Sequence, residues 1–150
     1  MLLQTLLIFL ADDDKEDRML FKEALDEIEN VTIEDFDNGV TLMDNLLKVN
    51  KLPNAIYLDL NMPLMNGEEC LIDIRSEPKF SDIPIIIYST YADVSITNEL
   101  QKKGANLYLV KPNSFEKLKC LLAKSLEYIY DEKSRVNFPG FVISEEKIGI

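Results

Sequence analysis

Apolar and polar residues alternate in blocks along this chain. Leu6-Leu7-Ile8-Phe9-Leu10-Ala11 is an unbroken apolar run that stops at Asp12-Asp13-Asp14. A run this short fits a strand covered on both faces, as in a parallel sheet. Leu20, Phe21, Ala24, Leu25 and Ile28 then recur at three- and four-residue steps, the stripe of an amphipathic helix. Val31 to Phe36 alternates apolar with polar and reads as a strand near the sheet edge. Asp37-Asn38-Gly39 is a turn, and Leu42, Leu46 and Leu47 mark a second helix.

The cycle repeats. Ala55 to Leu60 is an apolar strand that carries Asp59 at its end, and Cys70, Leu71 and Ile74 line a helix that finishes before Pro78. Ile83 to Tyr88 is the most β-branched run, followed by a helix around Ile96 and Leu100 that ends at Gly104. Leu107 to Val110 is a fifth strand. Phe115, Leu118, Leu122, Leu126 and Ile129 trace a long last helix, which Asn113 can cap with Glu116 three residues on. Five strand–helix units in alternation predict an α/β fold, a doubly wound five-stranded parallel sheet with helices on both faces. Residues 1–130 form the domain. Residues 131–150 contain Pro139-Gly140 and no helical stripe, and this extension is too short to fold as a separate output domain.

Composition narrows the function. With 47% hydrophobic and 29% charged residues the chain reads as globular. Its net charge of −11 opposes binding to nucleic acid and to anionic membranes. No apolar run is long enough to span a bilayer, and Met1-Leu2-Leu3-Gln4 lacks the basic segment and cleavage site of a secretory leader, so a cytoplasmic location is expected. Cys70 and Cys120 form no CxxC pair and read as ordinary, partly buried helical thiols. There is no histidine. That excludes Ser-His-Asp hydrolysis, histidine-ligated zinc and an internal phosphohistidine; any histidine chemistry must come from a partner.

In a doubly wound sheet, ligands bind beyond the carboxyl ends of the strands. Those ends here carry Asp12-Asp13-Asp14, Asp59-Leu60-Asn61, Ser89-Thr90 and Lys111-Pro112. Clustered carboxylates repel unless a cation neutralises them, and hard oxygen ligands suit Mg²⁺. An ammonium and a hydroxyl beside such an ion could share the charge of an arriving phosphoryl group, with a carboxylate as nucleophile. Each feature alone has an ordinary explanation: a strand-end Asp is commonly a cap, Asp14 and Asp17 suit a helix's first turn, and Lys-Pro or Ser-Thr are common loop pairs. All four at the ends of the right strands are not ordinary.

These residues resemble the response-regulator receiver family. The match is carried by Leu10-Ala11-Asp12-Asp13-Asp14, Asp59-Leu60-Asn61-Met62-Pro63 with Asn66-Gly67, Ser89-Thr90, and Gly104-Ala105 leading to Tyr108-Leu109-Val110-Lys111-Pro112. It covers roughly residues 5 to 130, and the acidic triplet with the Leu-Asn-Met-Pro loop is similar to the short phytochrome-associated regulators. The resemblance implies strand order 2-1-3-4-5, a phosphoacceptor at Asp59, and Mg²⁺ held by Asp13, Asp59 and the Asn61 backbone carbonyl with help from Asp12. It also implies Lys111 on the phosphoryl group, Ser89 as the hydroxyl that swings toward it, Tyr108 as the aromatic residue that turns with it, and a cis Lys111–Pro112 bond. A sensor histidine kinase or histidine phosphotransfer protein would supply the phosphoryl group, the chain catalysing its own phosphorylation and dephosphorylation as a signalling protein rather than as an enzyme. A downstream protein would read the face of helix four, strand five and helix five; the family often pairs through helix-four or helix-five faces, so the sequence leaves a homodimer open as a partner. Ser89 stands where Thr is commoner, and Tyr88 and Tyr91 flank it, read as packing at the sheet edge.

Other classes fit less well. A haloacid-dehalogenase-type phosphatase needs a second Asp two residues after the nucleophile, where this chain has Asn61. A flavin carrier needs a phosphate-cradling loop in place of Asp12-Asp13-Asp14. A pseudo-receiver, an interaction module that works without phosphorylation, is the remaining alternative.

Overall fold

In the computed structural model, which describes residues 5–136 and 138–150, each apolar run becomes a strand and each stripe a helix. β1 (Leu6–Ala11) leads to α1 (Lys15–Asp26), β2 (Val31–Phe36) to α2 (Gly39–Lys48) and β3 (Ala55–Leu58) to α3 (Gly67–Ser76). β4 (Ile85–Ser89) leads to α4 (Val94–Lys102) and β5 (Leu107–Val110) to α5 (Phe115–Tyr130). Neighbouring strands pair in parallel throughout. Met1 to Gln4, the segment read as lacking a secretory leader's features, lie outside the described residues.

The sheet has six strands in the order β2-β1-β3-β4-β5-β6, which corrects the expected five. The sixth, β6 (Val142–Ile143), comes from the extension, as does the short helix α6 (Glu145–Ile148). Two residues of strand show no period that a sequence pattern can reveal. They pair because β5 offers an open edge, with Tyr108 opposite Val142 and Leu109 opposite Ile143.

The strands that read as continuous apolar runs are buried on both faces. One face packs Phe21, Ala24 and Leu25 of α1 and Leu118, Leu122 and Leu126 of α5 against Ile8, Leu10 and Tyr57. The other packs Leu42 and Leu46 of α2, Cys70, Leu71 and Ile74 of α3 and Leu100 of α4 against Phe9, Ile56, Leu58 and Ile87. Inside the first core the Tyr57 hydroxyl lies 2.5 Å from Ser125 Oγ. Ser125 spends its own proton on the Leu122 carbonyl, so Tyr57 is the donor and both buried hydroxyls are satisfied.

Smaller expectations are also revised. Ser114, not Asn113, caps α5, its Oγ accepting from Lys117 N, because the first helical residue is Phe115 and the capping oxygen must sit one residue before it. No peptide bond among the described residues is cis, so the Lys111–Pro112 bond has the trans form that X–Pro bonds ordinarily favour. Tyr88 packs inside the α1 core rather than at a sheet edge, edge-on to Phe21 at 5.4 Å.

The two thiols share a helical setting but not an environment. Cys70 is fully buried and Cys120 is exposed. Burial, reinforced by Asp73 and Glu69, pushes the Cys70 thiol up to about 12. In the native chain a thiol reagent is therefore expected to label Cys120 alone, and Cys70 only after denaturation. Two thiols reacting at equal rates in native protein would contradict this packing.

Candidate functional site

The site is assembled by four strand ends, those of β1, β3, β4 and β5, and the main-chain bonds that register them. Asp12 N donates to the Phe36 carbonyl at 3.0 Å, which fixes the end of β1 on β2, and Asp59 N to the Ala11 carbonyl at 2.9 Å, which sets the ends of β1 and β3 side by side. Lys111 N donates to the Ser89 carbonyl at 2.8 Å, which fixes the exit of β5 beside β4. One carboxylate oxygen from each of Asp12, Asp13 and Asp59 falls within 4.8 Å of the others. Asp12 is fully buried and Asp59 is 7% exposed, while Asp13 faces solvent.

Lys111 crosses to this group from the far strand. Its Nζ lies 2.7 Å from Asp12 Oδ2, 2.9 Å from Asp17 Oδ2 and 3.8 Å from Asp59 Oδ2, and 4.7 Å above the Tyr88 ring. Burial alone would lower the ammonium's proton affinity, but Asp12, Asp59 and Asp17 outweigh it and hold it above the usual lysine range. Asp59 is also pushed up, out of the ordinary carboxyl range. Burial raises it to about 7, with Lys111 opposing and Asp12 adding to the rise. One ammonium thus faces three carboxylates, two of them buried, and Asp13 adds a fourth negative charge beside Asp12 and Asp59. The residual negative charge and the all-oxygen donor set fit a hard divalent cation such as Mg²⁺.

The other predicted residues stand around this centre. Asn61 N points at Asp59 Oδ1 from 3.5 Å. Ser89, 2% exposed, ends β4, and its Oγ accepts from Tyr91 N at 3.4 Å. Tyr108 is fully buried on β5, its hydroxyl donating to the Tyr91 carbonyl. Tyr91 itself turns outward and donates to Asp93 Oδ2 at 3.0 Å. A cleft of about 230 Å³ opens beside Lys111, bordered by Asp17, Tyr88, Thr90, Pro112 and Phe115. A larger groove of about 440 Å³ lies between Ile28, beyond the end of α1, and the Ala123–Asp131 stretch of α5 and its C-cap, away from Asp12, Asp13 and Asp59.

Three residues have roles here that the sequence alone does not assign. Asp17 is not only a first-turn acid: it is a second anchor for Lys111, and its place in the first turn of the helix that starts directly after Asp12-Asp13-Asp14 was the available signal. Arg18 donates to the Asp12 carbonyl at 2.8 Å and to Asp35 Oδ2 at 3.0 Å, bracing the end of β1 against β2. Gly67 N donates to the Leu60 carbonyl at 3.1 Å, and a methyl group on Gly67 would run into the backbone carbonyl of Asp59. The Asn66–Glu69 capping box starts α3 at that close approach.

A doubly wound parallel sheet with a buried carboxylate, two acidic neighbours and an ammonium at its carboxyl edge fits a Mg²⁺ and phosphoryl-aspartate site. The receiver domain family of response regulators matches residues 8–123, and the chain belongs to that family. It is 32% identical over 112 residues to a chemotaxis protein CheY homolog of Campylobacter jejuni, which covers 75% of this chain and 85% of that one. A likeness of 25% over 126 residues extends to the sensor histidine kinase CheAY of Helicobacter pylori, covering 84% of this chain but 16% of the kinase. Among solved structures, the phosphorylated cyanobacterial phytochrome response regulator RcpA superposes with a TM-score of 0.76 at 27% identity, covering 84% of this chain and 94% of RcpA.

The electrostatics predict a stability test. In chelator, Asp59→Asn removes a buried charge that Asp12 repels, so the variant should be more stable than the wild type by on the order of 1–2 kcal/mol, read as a higher unfolding temperature. Saturating Mg²⁺ should narrow or reverse that difference. A variant less stable than wild type in chelator would show that Asp59 is stabilised, not strained, by its surroundings.

Proposed function

We propose that this chain is a single-domain response regulator of a two-component or phosphorelay system, which accepts a phosphoryl group on Asp59 and changes the face it shows to a partner. The observation that carries this reading is the Asp59 carboxylate, nearly buried among Asp12, Asp13 and Lys111. In the transfer, an Asp59 oxygen attacks the phosphorus of a partner's phosphohistidine. The P–N bond breaks, an acyl phosphate forms, and the imidazole, carrying a proton on its other ring nitrogen, leaves with the bonding pair as the neutral base. Water later attacks the acyl phosphate and returns Asp59 and inorganic phosphate.

Asp12, Asp13 and Asp59, with the Asn61 backbone carbonyl, would hold Mg²⁺. When bound, the ion neutralises the carboxylates and the charge on the phosphoryl oxygens. Lys111 would exchange part of its contact with Asp12 and Asp17 for a phosphoryl oxygen. Ser89 would turn its hydroxyl to another, and Tyr108 would respond to the space that Ser89 vacates. Such contacts, made only to the phosphorylated form, are what can shift a two-state population.

The donor must lie outside the chain, because the sequence has no histidine. A sensor histidine kinase or a histidine phosphotransfer protein suits that role, and places the reaction in the cytoplasm with its ATP-derived phosphoryl supply. The unit that carries this chemistry is residues 1–130, with residues 131–150 as an extension of it. The output is a contact with a downstream protein or with a second copy.

Incubation with acetyl phosphate and Mg²⁺, followed by intact-protein mass spectrometry, is expected to show a single added phosphoryl group. It should be absent without Mg²⁺ and absent from Asp59→Asn. Lys111→Met should slow its appearance by about 100-fold, as for removal of one charged stabiliser of a transition state. No added phosphoryl group in any condition would leave the fold as an interaction module that works unmodified.

A further inference from the structure

The face formed by α4, β5 and α5 was expected to be open for a partner. It is not open, because the extension lies on it. Arg135 Nε donates to the Tyr128 carbonyl at 2.8 Å and its guanidinium stacks 4.5 Å from the Tyr128 ring. Phe138 meets the same ring edge-on at 5.5 Å, and Lys124 Nζ sits 5.4 Å over Phe138. The chain then turns through Pro139-Gly140, with Gly140 at a φ of 144°, a conformation that glycine adopts without strain. Tyr108 N donates to the Phe141 carbonyl at 2.9 Å and β6 pairs with β5. Finally Glu145 Oε2 meets Lys117 Nζ at 2.5 Å.

This strand joins both cores. Ile143 is fully buried in the core beneath α1 and α5, while Phe141 and Val142 pack against the opposite core, the one that contains Tyr108. Phe141 also faces the Tyr108 ring, with centroids 6.5 Å apart at 61°. Tyr108 in turn donates to the Tyr91 carbonyl, in the loop that follows Ser89. The residue proposed to change rotamer is therefore held at its hydroxyl by the site loop and at its ring by the extension. For the ring to leave the core over the β5 edge, Phe141 must give way.

We infer that residues 138–145 are a built-in ligand of the β5 edge, and that their docking is thermodynamically linked to the phosphoryl state of Asp59 through Ser89 and Tyr108. The inference rests on the receiver reading and adds its regulation. A phosphoryl group that draws Ser89 toward itself leaves room for the Tyr108 hydroxyl in its inward place, which is the rotamer that docked β6 requires. Phosphorylation and docking then favour the same arrangement, and each strengthens the other by an equal factor. A downstream protein that adds its own strand to β5 must displace residues 141–143, so it meets an edge that is least accessible when Asp59 is phosphorylated.

Hydrogen exchange of the full chain, read by mass spectrometry, tests this with beryllofluoride and Mg²⁺ in place of the phosphoryl group and Asp59→Asn as control. The result expected is slower exchange across residues 141–143 by about tenfold, within the usual range of such couplings, together with protection of the loops after Asp59 and Ser89. Phe141→Ala combined with Glu145→Lys should weaken beryllofluoride binding by the same factor. Protection of the two loops with unchanged or faster exchange at 141–143 would overturn the linkage and leave the receiver reading intact. No effect of beryllofluoride anywhere would remove that reading and the inference with it. Protection at 141–143 that grows with protein concentration would put a second copy's strand on the edge and overturn the intramolecular assignment.

Discussion

The structure is organised around a conflict of charge. Asp12 and Asp59 are held side by side out of water by the hydrogen-bonded ends of β1 and β3, and like charges so placed repel. Lys111 relieves part of the conflict and Asp17 then claims part of Lys111. The fold tolerates this arrangement because it is over-determined elsewhere. The strands behind it are among the most deeply buried parts of the chain, with Ile8, Phe9, Leu10, Ile56, Tyr57 and Leu58 fully covered. Unsatisfied electrostatics at the edge of a well-packed sheet is the usual mark of a working site.

The parallel topology explains why the conflict arises at this edge and what it can control. β1 and β3 bring the acids and β5 brings the ammonium, while β4 lies between β3 and β5 with Ser89 at its end. From Ser89 a contiguous route leads outward: Tyr91 N donates to Ser89 Oγ, the Tyr108 hydroxyl donates to the Tyr91 carbonyl, and β6 pairs with β5. Under the proposed function that route runs from the chemistry to the surface through side chains that are already packed.

The long elements were legible because their patterns are long. Six apolar residues ending in three aspartates, or a helix stripe from Phe115 to Ile129, leave little choice of structure. The acids, the hydroxyl and Lys111 could be placed on one edge because parallel alternation puts every strand's carboxyl end on the same side. The rest depended on tertiary structure. Val142-Ile143 has no period of its own and becomes a strand only against β5. The roles of Asp17 and Arg18 lie in what they reach across space, and both looked like ordinary residues of a charged helix start. The cap of α5 moved by one residue because the boundary between loop and first turn is a local balance that periodicity does not fix.

Titration of the metal-free chain with Mg²⁺ by calorimetry bears most directly on the central claim, that a cation completes this acidic edge. The account predicts saturable binding of a single ion per chain, weakened at least about tenfold by Asp13→Asn. Absence of saturable binding in the wild type, or binding that survives Asp13→Asn unchanged, would contradict it.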